Sequence, residues 1–186
     1  MRALLAIAVM LVSSAAYAAM DIPARKAGLW QMTMNFEGGR IPQQSMKQCI
    51  DAATDKMMNS MGGQMSKENC SKQDMQRVGN TIVVDSVCKG PMGGTNVAHA
   101  VVSGDFNSAY TVKVDSKQEG GQAMPGMPPG GGAMKMTVDA KWLGPCAADQ
   151  KPGDMIMGNG MKMNVRDMPM GGPPGGGGAP PQMPRR

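Results

Sequence analysis

Four cysteines, Cys49, Cys70, Cys88 and Cys146, stand behind an amino-terminal export pattern, and together they limit the chain to folds that two disulfides can clamp. Met1-Arg2 precede an apolar run from Ala3 to Val12, followed by Ser13-Ser14-Ala15-Ala16-Tyr17-Ala18. A basic start, an apolar middle and a small-residue box predict a signal peptide over residues 1–18, cut after Ala18. The apolar run is too short to span a bilayer permanently. The expected destination is the periplasm or the exterior, where thiols oxidise.

Charge excludes one class of partner. Loss of Arg2 lowers the net charge from +5 to +4, the lysines are scattered, and aromatic residues are 3 % of the chain. Nucleic-acid binding needs a basic patch with stacking rings, and none is present. Methionine is the compositional outlier, with 23 residues against two each of Trp, Tyr and Phe. Thioethers must fill much of any core, which gives adaptable packing and raises the importance of the disulfides.

Period-two alternation dominates the chain. Trp30, Met32, Met34 and Phe36 alternate with Gln31, Thr33 and Asn35, which predicts a half-buried strand. A turn at Glu37-Gly38-Gly39-Arg40 leads to a second strand over Ile41–Ile50 carrying Cys49. Asp51 can cap a short helix that Gly62-Gly63 is expected to stop. Cys70–Cys88 reads as a hairpin about Gly79-Asn80. A second hairpin is expected from Asn96–Ser103, a turn at Gly104-Asp105, and Phe106–Val114. Met134, Met136, Val138, Ala140 and Trp142 then alternate with Lys135, Thr137, Asp139 and Lys141 in the clearest strand of all. Met155–Met157 and Met161–Met163, on either side of Gly158-Asn159-Gly160, can add a small hairpin.

The predicted fold is mainly β: an antiparallel sheet of six or seven strands with one apolar face and one short helix, held by disulfides. One domain is expected over residues 19–154, with a Gly/Pro/Met loop at 119–133 inside it. A Met/Gly/Pro-rich tail follows over 155–186, disordered from about residue 169.

Four cysteines allow three pairings. The Gly79-Asn80 hairpin favours Cys70–Cys88, which leaves Cys49–Cys146 to tie the second strand to the last. Chain entropy assigns these roughly 3 and 4–5 kcal/mol. No Cys-x-x-Cys is present, so structural bridges are favoured over a metal or redox site.

The ordered blocks Gly28-Leu29-Trp30, Gln48-Cys49-Ile50, Val87-Cys88-Lys89, Gly104-Asp105-Phe106 with Tyr110, and Trp142-Leu143-Gly144-Pro145-Cys146 resemble a known family. It is the set of small exported proteobacterial proteins grouped as domain of unknown function 3617, and the resemblance covers about Arg25 to Asp154. It implies a periplasmic setting and supplies no activity and no catalytic or binding residues.

Catalytic motifs are missing from the sequence. His99 is the one histidine, no Gly-x-Ser-x-Gly elbow occurs, and the glycine-rich stretches lack Gly-Lys-Ser/Thr. Asp51, Asp105 and Asp139 are better explained as a cap, a turn residue and a polar-face residue than as paired acids. A non-enzymatic binding or envelope-associated domain without a cofactor is therefore expected, its partner unspecified. Two alternatives keep a chemical basis. Cuprous copper favours thioether donors, and Met124/Met127, Met155/Met157, Met161/Met163 and Met168/Met170 have suitable spacings. An apolar molecule such as a lipid can instead lie on a methionine-lined sheet face.

Overall fold

The computed structural model describes residues 22–38, 41–90, 93–121 and 132–167. The expected signal peptide, most of the Gly/Pro/Met loop and the chain beyond Asp167 lie outside these residues.

Among the described residues, nine strands form one antiparallel sheet. They are β1 (Gly28–Phe36), β2 (Gln44–Ile50), β3 (Cys70–Val78), β4 (Thr81–Lys89), β5 (Thr95–Asp105), β6 (Ala109–Glu119), β7 (Ala133–Gly144), β8 (Asp154–Met157) and β9 (Lys162–Asn164). Their order across the sheet is β3-β4-β5-β6-β7-β1-β2-β8-β9. The expected count of six or seven strands is corrected to nine. The difference lies at the carboxyl end, where the small hairpin about Gly158-Asn159-Gly160, left out of that count, forms two strands of four and three residues that join the sheet.

β8 pairs with β2, and β9 pairs with β8. The sheet therefore continues through residues 155–164, which the sequence assigned to the tail. Backbone bonds from the Gly153 amide to the Cys49 carbonyl and from the Val165 amide to the Gly153 carbonyl fasten this segment to the domain. Two further boundaries move. β2 begins at Gln44 rather than Ile41, and Phe106 sits in the turn between β5 and β6, stacked on Tyr110 with ring centroids 4.8 Å apart.

The helix α1 (Ala52–Asn69) is longer than expected and runs through Gly62-Gly63. Its start follows the sequence: Asp51 accepts from the Thr54 amide while the Thr54 hydroxyl receives the Asp51 amide, a reciprocal cap. Topology sets its length. β2 and β3 stand six places apart in the sheet, so the crossover between them is long. Eighteen helical residues cover about 27 Å. A helix stopped at Gly62 would leave the crossover unfinished, so the span outweighs the roughly 1 kcal/mol that each glycine costs a helix.

The pairing register sorts side chains between two faces. Three consecutive rows on one face are apolar from strand to strand: Val84–Ala100–Val114–Met136–Phe36, Ile82–Val102–Val112–Val138–Met34, and Tyr110–Ala140–Met32–Met46–Met157. The densest core lies at one end of this face, where Trp30, Ile50, Tyr110 and Ala140 are buried together and Met58 of α1 packs on them. α1 approaches β2 at that end and β3 and β4 at the other, so it crosses the face diagonally.

Two disulfides clamp this arrangement. Cys70–Cys88 joins directly opposed residues at the ends of the β3–β4 hairpin. Cys49–Cys146 links β2 to the chain just past β7, bridging over the end of β1, the strand between them.

Candidate functional site

The methionines gather on the apolar face and on the helix that crosses it. Of the 14 methionines among the described residues, 13 are half-buried, only Met161 is exposed, and none belongs to the fully buried core. On α1, Met58, Met61 and Met65 follow Thr54 at helical spacing and are half-buried. The sheet face opposite carries Met32, Met34, Met46 and Met136 in the same condition. Two thioether-bearing surfaces thus flank a common apolar zone.

The two ends of that zone differ. At the core end, a buried polar network closes it. The Arg25 amide and Nε donate to the two oxygens of the Asp55 carboxylate at 2.9 and 2.8 Å, and Arg25 Nη1 donates to Gln48 Oε1 at 3.1 Å. The Asp55 side chain is 1 % exposed, so this ion pair pins the segment before β1 onto the first turn of α1. Trp30 Nε1 donates to the Lys26 carbonyl, Trp142 Nε1 to the Ala27 carbonyl, and the Lys26 ammonium stands 3.6 Å above the Trp142 ring. At the opposite end the rows turn more polar, with Ser86–Ala98–Ser116–Met134 and then Cys88–Asn96–Gln118. The face therefore grades from an aromatic, closed end through methionine and valine to hydroxyl and amide groups.

Charge collects on the other face. Asp74, Asp85, His99, Asp115 and Lys135 lie directly opposite one another across five strands, beside a shallow depression of about 490 Å³. His99 Nδ1 is 2.7 Å from Asp85 Oδ1, and both side chains are about half exposed. Strand alternation turns Ser86 and Ser116 to the apolar face, so neither hydroxyl stands beside His99. Asp51 caps α1, Asp105 receives hydrogen bonds from Asn107 and Ser108 in its turn, and Asp139 accepts from Thr111 Oγ1. The Thr54 amide holds the Asp51 carboxyl below its ordinary range, and the Asn107 amide does the same for Asp105.

The eight methionines that the sequence offered as soft-metal ligands divide into three groups. Met124, Met127, Met168 and Met170 lie outside the described residues. Met161 follows the turn after β8, where its carbonyl accepts from the Met157 amide, and it is 55 % exposed. Met155, Met157 and Met163 come together: Met155 stands opposite Gln48 and Met163, and Met157 opposite Met46. Met46 is the neighbour that sequence reasoning missed, because its strand places it among polar residues. The methionines of α1 were missed because Gly62-Gly63 hid the continuation of their spacing; Met58, Met61 and Met65 were the available signal.

The two disulfides fit an oxidising environment. No helix among the described residues is long and apolar enough to cross a membrane. No curated protein and no solved structure matches the chain. The family described as protein of unknown function (DUF3617) matches residues 25–146, from the arginine of the buried ion pair to the last cysteine. The chain belongs to the DUF3617 family.

Proposed function

We propose that this chain is an exported periplasmic binding domain without catalytic activity, which takes an acyl-chain amphiphile between α1 and the apolar face of the sheet. The observation that carries the reading is the state of the methionines: 13 of the 14 described are half-buried and none is fully buried. An ordinary filled core buries such side chains completely. Flexible thioethers on both walls suit a chain-like guest, because they repack around varied shapes at little strain. The grading of the face supports an amphiphile over a wholly apolar molecule, since Ser86 and Asn96 carry polar side chains where the apolar rows end. The export pattern at residues 1–18 and the two disulfides support the periplasmic setting.

Native mass spectrometry of the full chain purified from the periplasm tests this. The expected result is a bound species of lipid-like mass, released by organic extraction. Displacement of a fluorescent fatty acid gives a second measure, and Met136→Gln, which puts an amide in the middle of the apolar rows, is expected to weaken it. An unliganded spectrum together with no uptake of the fluorescent fatty acid would overturn the reading.

A further inference from the structure

We propose that Met46, Met155, Met157 and Met163 form a thioether site for a soft monovalent cation, Cu(I) or its analogue Ag(I), at the β2–β8–β9 edge of the sheet. The inference does not depend on the amphiphile reading, and it concerns a hairpin beyond the span matched by the family.

Register carries the argument. Met46 opposes Met157 across β2 and β8, Met155 opposes Met163 across β8 and β9, and Gln48, opposite Met155, belongs to the same face as Met46. Directly opposed side chains have Cβ atoms about 5 Å apart. Four unbranched thioethers therefore project from adjacent positions onto one patch, and each is half-buried. Two of the sulfurs already converge on a single atom: Gln48 Nε2 lies 3.4 Å from Met155 Sδ and 3.7 Å from Met46 Sδ.

Gln48 is 8 % exposed, and its Oε1 accepts from Arg25 Nη1, which fixes the amide with its nitrogen toward the sulfurs. Sulfur is a weak acceptor, so these N–H bonds are poor partners for a buried amide. A cation that thioethers favour would replace them by displacing the amide nitrogen. Donors of this kind select Cu(I) over hard divalent ions. Thioethers also carry no proton to lose, so binding should vary little with pH.

The test is anaerobic titration of the full chain with Cu(I) held by a competing chromophoric chelator, repeated with Ag(I). The wild type is expected to withdraw one equivalent, with sulfur neighbours in the copper X-ray absorption spectrum. M155L together with M163L should weaken retention at least about tenfold, because removing two of four soft donors leaves too few to compete. Leucine conserves volume, so this variant should fold, and thermal melting checks that it does. M134L together with M136L alters methionines elsewhere on the sheet and should leave retention unchanged. Three results would overturn the proposal: no withdrawal by the wild type, equal weakening in both variants, or undiminished retention in M155L/M163L, which would place the metal on other methionines.

Discussion

The two disulfides enclose very different lengths of chain, and that difference has a measurable consequence. Cys70–Cys88 spans 18 residues and Cys49–Cys146 spans 97. Removing a bridge restores loop-closure entropy to the unfolded chain, about 3 kcal/mol for the short loop and about 4.7 kcal/mol for the long one at 25 °C. The short loop lies inside the long one and shortcuts it, but the logarithmic dependence lowers the larger figure only to about 4.5 kcal/mol. Burial adds to the contrast. Cys49 is 1 % exposed, whereas Cys70 and Cys88 are half-buried, so truncating Cys49 also opens a space in the core. C49A/C146A should therefore lose at least about 1.5 kcal/mol more than C70A/C88A. Against a typical total of about 5–15 kcal/mol, the long bridge is worth a third or more of the fold. Urea unfolding of both double variants and the wild type under non-reducing conditions measures the difference, with each variant's slope rising as its unfolded state expands. Equal losses, or a larger loss for C70A/C88A, would refute the reasoning.

Other outcomes follow from particular contacts. Asp55→Ala strands the Arg25 guanidinium in a buried site and should cost about 3–5 kcal/mol, whereas R25M/D55L should recover most of that; a single variant as mild as the double would count against the buried pair. The Asp154 carboxyl is held down to about 2 from 3.8 by the Lys151 amide, then by Lys162 and Asn164. A carboxyl lowered by folding stabilises the protein above its unfolded value, so this contribution is full above about pH 4 and is lost as the pH falls toward 2. Urea midpoints at pH 5 and pH 2 should converge for wild type and Asp154→Asn at the lower pH only. At Gly28, with φ of 134°, an added Cβ would collide with the Gly144 carbonyl oxygen and with Trp142 Nε1. Gly28→Ala should cost about 1–3 kcal/mol in thermal or urea unfolding, and a neutral result would show that the start of β1 relaxes freely.

Much of the sheet was legible in the sequence because one face is apolar. Trp30–Phe36 and Met134–Trp142 alternate so regularly that a shift of one residue would expose every methionine on them, and the observed pairing keeps them together. The Cys70–Cys88 hairpin was equally plain, with Gly79 at φ 60° in its turn. What the sequence concealed was set by distance through space. Gly62-Gly63 is a local stop signal that α1 overrides because β2 and β3 are far apart in the sheet. The small hairpin of Met155–Met157 and Met161–Met163 could be read locally, but its docking as β8 and β9 on the edge that β2 provides could not. The buried Arg25–Asp55 pair had no local signature at all, since its members are 30 residues apart and meet only when α1 docks.

The placement of β1 between β2 and β7 has a kinetic side. β3 to β7 form a meander of successive hairpins, each of which can close as soon as its own residues are available. β1 cannot: one of its neighbours follows at once, but the other ends at Gly144, more than a hundred residues later. A chain that emerges amino end first must therefore keep Trp30 and the methionines of β1 half-paired until nearly the whole domain has appeared. Cys49 waits just as long for Cys146, while Cys70 and Cys88 pass by as closer, wrong partners. Oxidative folding of this protein should thus be slow at a single step, the reshuffling of Cys49, and a disulfide isomerase should accelerate that step far more than the closing of the β3–β4 hairpin.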